Sequence, residues 1–492
     1  MIAIFDTNPK YLNFIRGLPL FVGLFLIIAA WSLASPPTAI PDEPAHLAYG
    51  QGVWRGDFSR TVVIPKTPQN RLCFAFKPEQ SVACAEFEWI DELSAHTTNA
   101  AYYPPAFYLL TGWTQYLGAG IARGYLLRIA AAALNALALT LALKNLLKSI
   151  SNASAHRNFK REMQSVVAFT LIILTPTAAM YAGSYNPSGF VFSLATGILL
   201  IGSKIRLSNI LGSYDLVLLS IYSSLFLLSR RDSAIWLFGI ALVILISCSS
   251  IFLNKIKTNK RQLVFASIPP SLSLIYLLNT SSGEVASRTL SQSEIHEKVV
   301  AHTWWVSTQI PKYFDHITTT FGWLDTRLPG LLSYLASMFY GGMILFGISY
   351  SKISRRSTVF AVGYFIVIPI LLIAVMKFGY YQGRYALPLL PLLFGGPLLS
   401  LRAETKFGSL AERFPIVVAL ITGGVLQITS IWQFIRRNSL GLASDWNVLT
   451  AELLWRPVGG AWLPILMIGI GYLVAVLSVK NQNYRAVTEM KS

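Results

Sequence analysis

Apolar runs of about 17–22 residues recur along the chain, each long enough to cross the hydrocarbon core of a bilayer as a helix. They fall at 17–35, 121–143, 163–181, 187–203, 209–229, 234–253, 262–279, 331–350, 358–377, 385–401, 415–435 and 461–479, twelve in all. The pattern predicts an all-α fold, a polytopic transmembrane helical bundle that takes in residues 1–492 as one integral membrane domain. A thirteenth stretch, 104–119, opens on Pro104-Pro105 and is short. The first run also resembles the apolar region of a signal peptide. At about 17 residues it is long for one, and many spans come after it, so it reads as a retained helix.

Charge fixes the sidedness. The segment 144–162 holds Lys144, Lys148, Arg157, Lys160 and Arg161 and is expected to be cytoplasmic, as is the N-terminus with Lys10 and Arg16. An even number of crossings must separate them, and 17–35 and 121–143 already supply two, so 104–119 is expected to be re-entrant or interfacial. With that choice the cytoplasmic segments carry 22 of the 40 Lys and Arg against 16 outside, and six of the acidic residues against 16 outside. Both termini are then cytoplasmic, which suits a bacterial cytoplasmic membrane. Two long loops, 36–103 and 280–330, are external, with a smaller one at 436–460.

Composition agrees. Hydrophobic residues make up 54% and charged residues 13%, about half the share of a soluble domain. A soluble enzyme and a disordered chain are excluded. The net charge of +18 is mostly the positive-inside signal, so nucleic acid is not needed as a partner. No Walker motif or Gly-rich phosphate loop appears on the cytoplasmic side. Cys248 lies in an apolar run. Cys73 and Cys84 share one polar loop, and a disulfide between them fits a compartment outside the cytoplasm; two unrelated thiols are the alternative.

The first external loop opens Pro41-Asp42-Glu43-Pro44-Ala45-His46-Leu47-Ala48-Tyr49. A helix beginning here, with Pro44 in its first turn, has Asp42 as its cap and His46, Tyr49, Gly50 and Val53 on one face, and is expected to lie along the membrane surface. The acidic pair reads either as a cap with a solvated neighbour or as a general base at the bilayer boundary, where partial desolvation raises basicity.

That motif, with Asn99 to Leu109 (NAAYYPPAFYL), Tyr185-Asn186-Pro187-Ser188, Phe321 to Pro329 (FGWLDTRLP) and Gln382-Gly383-Arg384-Tyr385 leading into Leu387 to Pro391, resembles a family of predicted bacterial membrane proteins described as a domain of unknown function. That family is in turn similar to the GT-C superfamily of membrane glycosyltransferases. The resemblance covers about residues 15–400. It implies that the acidic residue after the first helix activates an acceptor, and that the donor is a sugar on a polyprenyl phosphate or diphosphate, with inversion usual. Asp42 is then the base and Glu43 its neighbour or substitute. Some GT-C members also bind a divalent metal through extra acidic residues. No second Asp-x-Asp or Glu-x-Asp cluster stands near a span, so no cofactor is evident and a metal stays open.

A lipid-phosphate donor needs cations at the headgroup boundary, and the planar Arg fork suits phosphate. Arg230-Arg231 with Asp232, and Arg384 near Lys377, lie at external helix ends, where positive charge runs against the topology rule. Arg231 and Arg384 are the phosphate candidates, against snorkelling as the plain alternative. Arg436-Arg437 is similar but lacks a family match. Tyr102, Tyr103, Pro104, Pro105 and Tyr108 read as a cavity wall in an aromatic belt, with sugar stacking by Tyr102 or Tyr103 the alternative. Asn186 is a cap or lines the site, and His46 joins the substrate-binding candidates. In the second loop, His296, His302 and His316 match no zinc spacing. An amphipathic interfacial helix is expected at 294–310, with Val299, Val300 and Trp304 on its apolar face and Trp305 beside them. Asp325 follows the family pattern, or pairs with Arg327, or caps the next helix, and Asp315 lies nearby.

Three functions compete. The first is a glycosyltransferase moving a sugar from a polyprenyl-phosphate donor to a glycan or lipid acceptor of the envelope, with the lipid bilayer as its solvent. The second is a glycan or lipid transporter or flippase, expected to show inverted repeats and broken, ionisable mid-membrane helices. The third is a non-catalytic subunit of an envelope assembly complex. The first requires Asp42 to share a pocket with the outer arginines.

Overall fold

A computed structural model describes residues 9–66, 73–85, 90–152, 159–281, 307–376, 381–401, 415–444 and 446–489. The fold is an all-α, polytopic transmembrane bundle. Among the described residues, seven helices are long and apolar enough to cross a membrane, or nine if two sharply bent pairs each count as one span. This is fewer than the twelve expected, although every expected span falls on helical segments.

The shortfall has local causes. The stretch 163–181 is not one helix: α5 (Phe159–Ile173) and α6 (Pro176–Gly183) meet at 74°. Pro176 lacks the N–H that would continue the ladder, and the Thr175 hydroxyl accepts from the Ala178 N–H to start a new helix. The Leu174 carbonyl freed at the bend accepts from Gln427 Nε2 at 2.7 Å. Likewise α9 (Ser233–Ser247) meets α10 (Ser249–Ser281) at 82°. The run 385–401 breaks into a 3-10 turn, Gly383–Leu389, then α13 (Leu390–Gly395), then another 3-10 turn, Gly396–Ser400. Pro388, Pro391 and Pro397 and the pair Gly395-Gly396 interrupt it. α8 (Ser213–Leu227) is simply short. A windowed hydropathy reading sees apolar length but not these breaks.

The 104–119 stretch forms α3 (Ala106–Thr111) and a 3-10 turn, Gly112–Leu117, too short to cross. Gly112 is required there: a Cβ would lie 2.5 Å from the Trp54 ring and 2.7 Å from the Gly50 carbonyl.

The centre of the bundle is α7 (Pro187–Ser208), 89% buried over its apolar window. It packs against α4 (Ile121–Asn152), and α4 against α1 (Pro9–Leu33). α1 crosses the C-terminal helix α15 (Trp462–Glu489) at two glycines, where a Cβ on Gly23 would lie 2.8 Å from the Gly471 carbonyl. Small residues let helix backbones approach this closely in lipid. α11 (Gly330–Tyr350), α12 (Lys352–Met376) and the 260–279 part of α10 are peripheral, and they turn Leu331, Met338, Val359, Phe265 and Leu272 outward as a membrane-facing surface.

The two long loops gather at one end, here called the loop face. α2 (Glu43–Val53) lies there, buried along nearly its whole length rather than spread on a membrane surface. It is covered by an antiparallel ribbon, β1 (Thr61–Lys66) and β2 (Ile90–Thr97), whose Val62 and Ile64 pack on Ala48. Cys73 and Cys84 are bonded, with Cα atoms 6.0 Å apart. Ser81 donates to the carbonyls of Asn438 (2.8 Å) and Ser439 (3.0 Å), which pins this loop to the end of α14 (Ile416–Ser439). Cys248 is buried and unbonded. From the second loop, residues 307–318 are helical and lead into a short ribbon, β3 (Thr320–Phe321) with β4 (Thr326–Arg327). Most of the helix expected at 294–310 lies outside the described residues, as do His296, His302, Trp304, Trp305, Lys377 and Tyr380.

Replacing Cys73 and Cys84 with serine should lower the thermal unfolding midpoint by the equivalent of about 3 kcal/mol, the entropy of closing so short a loop. A midpoint equal to the wild type's, in oxidising buffer, would show that the bond does not tie the loop to α14.

Candidate active site

α1 ends at Leu33, and the chain turns through 34–42 before α2 begins. Two residues of this turn take left-handed backbone, Thr38 at φ 82° and Asp42 at φ 62°. For a β-branched Thr this is a true outlier; Asp tolerates the region better. The turn is held by its next residue, Glu43. This side chain is fully buried and accepts from Arg128 Nε (2.6 Å) and Nη2 (2.5 Å), from the Thr38 N–H (2.9 Å) and from the Tyr185 N–H (3.0 Å). Arg128, fully buried on α4, spends its remaining donors on the carbonyls of Ser32 (3.0 Å), Ser35 (2.7 Å) and Pro36 (2.9 Å). One guanidinium thus caps the end of α1 and clamps Glu43.

The adjacent carboxylates therefore face opposite ways. Asp42 stands at the N-cap position but makes no capping hydrogen bond, contrary to its expected role, because its left-handed backbone turns the carboxylate away from the helix N–H groups. Oδ2 instead accepts from Arg384 Nη2 at 2.6 Å. Arg384 Nη1 donates to the Pro41 carbonyl (3.1 Å) and the Tyr181 hydroxyl (3.4 Å). The guanidinium side is 1% exposed and the Asp42 side chain 48%. The pair thus has one buried and one open end. The Arg384 guanidinium holds the Asp42 carboxyl below its ordinary range; burial opposes this and is outweighed, and Arg230 adds to the lowering.

Arg230 completes the group. It is buried, paired through two nitrogens with Asp232 (2.8 and 3.0 Å), and bonded to the Ser188 hydroxyl. Its guanidinium carbon lies 5.3 Å from the Tyr385 ring, and that of Arg384 lies 5.3 Å from the same ring. One aromatic ring thus stands within cation–π reach of two cations. The Tyr103 ring is 5.9 Å from Arg230 and edge-on to His46 at 5.2 Å. His46 Nδ1 is 2.7 Å from the Tyr108 hydroxyl, and burial pushes the imidazole down to about 3, so it is neutral at physiological pH. Burial raises Tyr103 to about 12.

Asp42, His46, Tyr103, Asn186 and Arg384 thus come together. Asn186 both caps α7, through the Ser188 N–H at 2.9 Å, and donates to the Pro41 carbonyl at 3.3 Å. Arg231 is displaced to the rim over Tyr102, at 5.9 Å, and its neighbour Arg230 occupies the interior. Asp325 pairs with neither Arg327 nor a helix end. It accepts from Arg437 Nη2 at 2.7 Å, and Arg437 also donates to the Phe74 carbonyl at 2.8 Å. That second pair joins the two long loops and α14; Arg327 faces Asp315 at 3.8 Å instead. Sequence reasoning missed Arg128, although a charge inside an apolar span is itself a signal. It also missed Tyr181, which no spacing marks, and it gave Tyr385 no role beyond its place in the Gln382–Tyr385 motif. Among the described residues no three His, Cys, Asp or Glu side chains group as a metal requires, and Asp42 and Asp232 are both committed to arginines. This donor set does not fit a resident metal.

The sequence profile of one family, described as "Predicted membrane protein (DUF2142)", matches residues 25–393. No curated protein matches the chain. Among solved structures, the crystal structure of ArnT from Cupriavidus metallidurans bound to undecaprenyl phosphate is similar over 95% of this chain and 78% of that one, at 13% identity and a TM-score of 0.44. The same protein in the apo state is similar over 94% and 76%, at 12% identity and a TM-score of 0.42.

Arg128→Gln or Glu43→Gln, each leaving a buried charge unpaired, should cost about 3–5 kcal/mol in chemical unfolding, while Arg128→Met with Glu43→Leu should cost much less. Losses that add, with the double variant costing the sum of the two singles, would show that the two residues do not act as a clamp. His46, neutral when folded and titrating near 6.5 when unfolded, should make stability fall as pH drops from about 6.5 towards 3. His46→Asn should flatten that slope; an unchanged slope contradicts the burial assigned to His46.

Proposed function

The chain belongs to the DUF2142 family of predicted membrane proteins, and we propose that it is a membrane glycosyltransferase. It moves a sugar from a polyprenyl-phosphate-linked donor to a glycan or lipid acceptor of the cell envelope. The reading places it in the bacterial cytoplasmic membrane with both termini in the cytoplasm, so that the loop face is external.

The observation that carries the reading is the Asp42–Arg384 pair, one oxygen of an accessible carboxylate held by a buried guanidinium at 2.6 Å. A base needs to be ionised and reachable, and Asp42 is ionised at neutral pH and 48% exposed. A departing lipid phosphate needs fixed positive charge in a dry setting, and Arg384 and Arg230, each 5.3 Å from the Tyr385 ring, supply it. The ordered motifs resemble those of a family that is itself similar to the GT-C superfamily, which supports the same reading.

In the proposed step the acceptor hydroxyl gives its proton to Asp42 as its oxygen bonds to the anomeric carbon. The bond from that carbon to the phosphate oxygen breaks, and its electron pair leaves with the polyprenyl phosphate, whose charge Arg384 and Arg230 offset. Glu43 and Asp232 are each held by an arginine and supply no second nucleophile beside Asp42, so the step is a single displacement with inversion. Glu43, saturated by four hydrogen bonds, holds Asp42 in place rather than substituting for it. His46 and Tyr103 form one wall, Asn186 steadies Pro41, Asp325 fixes the second loop, and Arg231 meets the ligand at the rim.

A second reading, a glycan or lipid flippase, draws on the bent pairs α5–α6 and α9–α10 and the broken segment 383–400, since interrupted helices are common at transport sites. One experiment separates the two. Asp42→Asn, whose amide oxygen can still accept from Arg384, should cut sugar transfer by about 10²–10⁴-fold while the protein still folds and inserts in the membrane. The readout is the envelope glycolipid profile of a strain carrying only that variant, beside one lacking the gene. A wild-type profile with Asp42→Asn contradicts the enzyme reading.

A further inference from the structure

Four buried polar atoms around Gly383 have no partner among the described residues: Arg384 Nε, His316 Nε2, the Tyr381 hydroxyl and Gln382 Oε1. Arg384, His316 and Tyr381 are 1%, 5% and 6% exposed. An unsatisfied buried donor costs about 1–3 kcal/mol, and native proteins contain few of them. Four of them gathered beside the candidate active site can be satisfied by water or by a bound ligand.

The groups are held next to one another. The Gly383 N–H donates to His316 Nδ1 at 3.4 Å, and a Cβ on Gly383 would lie 2.5 Å from the His316 Cβ, so only glycine allows this approach. The Tyr313 ring lies 6.2 Å from His316 and 4.9 Å from Tyr381. Tyr381 in turn lies 5.6 Å from Tyr385, the ring within 5.3 Å of both cations. Burial pushes His316 down to about 3, so its ring is neutral. A neutral imidazole that accepts at Nδ1 carries its proton on Nε2. Three of the four atoms are therefore donors lacking an acceptor, and the fourth is an acceptor lacking a donor.

A phosphate ester of a sugar has the complementary pattern: anionic oxygens that only accept, and hydroxyls that donate. We propose that His316 Nε2, the Tyr381 hydroxyl and Arg384 Nε bind the phosphate oxygens of the donor headgroup, and that Gln382 Oε1 takes a sugar hydroxyl. This rests on the lipid-linked donor reading above and adds the residues that receive its headgroup. It also assigns the second loop, through His316, to donor recognition.

The test is binding to the purified protein in nanodiscs, with undecaprenyl phosphate, undecaprenol and inorganic phosphate as probes. Tyr381→Phe removes one hydroxyl, and His316→Asn keeps an acceptor for Gly383 while removing the Nε2 donor. Each should weaken undecaprenyl phosphate binding about tenfold and leave undecaprenol binding unchanged. Without ligand, the thermal midpoint of Tyr381→Phe should equal or exceed the wild type's, since the lost hydroxyl has no partner to leave. Wild-type affinity in both variants, with Arg384→Gln abolishing binding, overturns the proposal alone. Retained binding in Arg384→Gln overturns the donor reading as well. A variant effect that appears with inorganic phosphate but not with the lipid assigns the groups to a free anion and overturns the headgroup assignment.

Discussion

A buried ion pair between α2 and α4 sets the position of everything at the loop face. Glu43 and Arg128 are both wholly inaccessible to solvent. Such a pair gains little stability over apolar residues of similar size, yet removing either partner is severe. Its value lies in direction. Arg128 gathers the carbonyls of Ser32, Ser35 and Pro36 at the end of α1, and Glu43 gathers the N–H groups of Thr38 and Tyr185. Three segments distant in sequence are thereby fixed on one point. The left-handed turn at Thr38 and Asp42 is held by these bonds, and it leaves the neighbouring carboxylate aimed the other way.

Around that fixed turn the acids and arginines sort into pairs with different work. Glu43–Arg128 is closed on all sides. Asp325–Arg437 is nearly closed and joins the two long loops. Asp42–Arg384 is open at its acidic end, and Arg230–Asp232 shares the Tyr385 ring with it. Charge is balanced within each pair, which makes so many buried cations tolerable near a bilayer. On the proposed function, an arriving anion would meet arginines already in position and compete with a carboxylate for one of them.

Much of the fold was legible in the sequence because apolar length is a simple consequence of a bilayer. The limits were equally physical. Proline and glycine at 388, 391, 395, 396 and 397 break a run whose mean hydropathy is that of a span, and a sharp bend before Pro176 splits another. The α2 helix was readable, its burial was not, because the ribbon and the disulfide loop that cover it are tertiary neighbours. At the site, Asp42 and Arg384 carry motifs that invite attention. Glu43 beside Asp42 could not be told apart from it, since their separation depends on one backbone angle and on Arg128, 85 residues away. Arg230 and Arg231 were likewise indistinguishable until α9 turned one inward. His316 and Tyr381 gained meaning only from bonds they lack.

The position of a bound lipid phosphate is the most direct test of the proposed site. A cryo-electron microscopy structure of the protein in nanodiscs with undecaprenyl phosphate should place the phosphate against Arg384 and Arg230, with the Asp42 carboxylate beside it at the loop face. A phosphate bound beyond roughly 10 Å from both arginines, outside the reach of screened ion pairing, with Asp42 still held by Arg384, would contradict it.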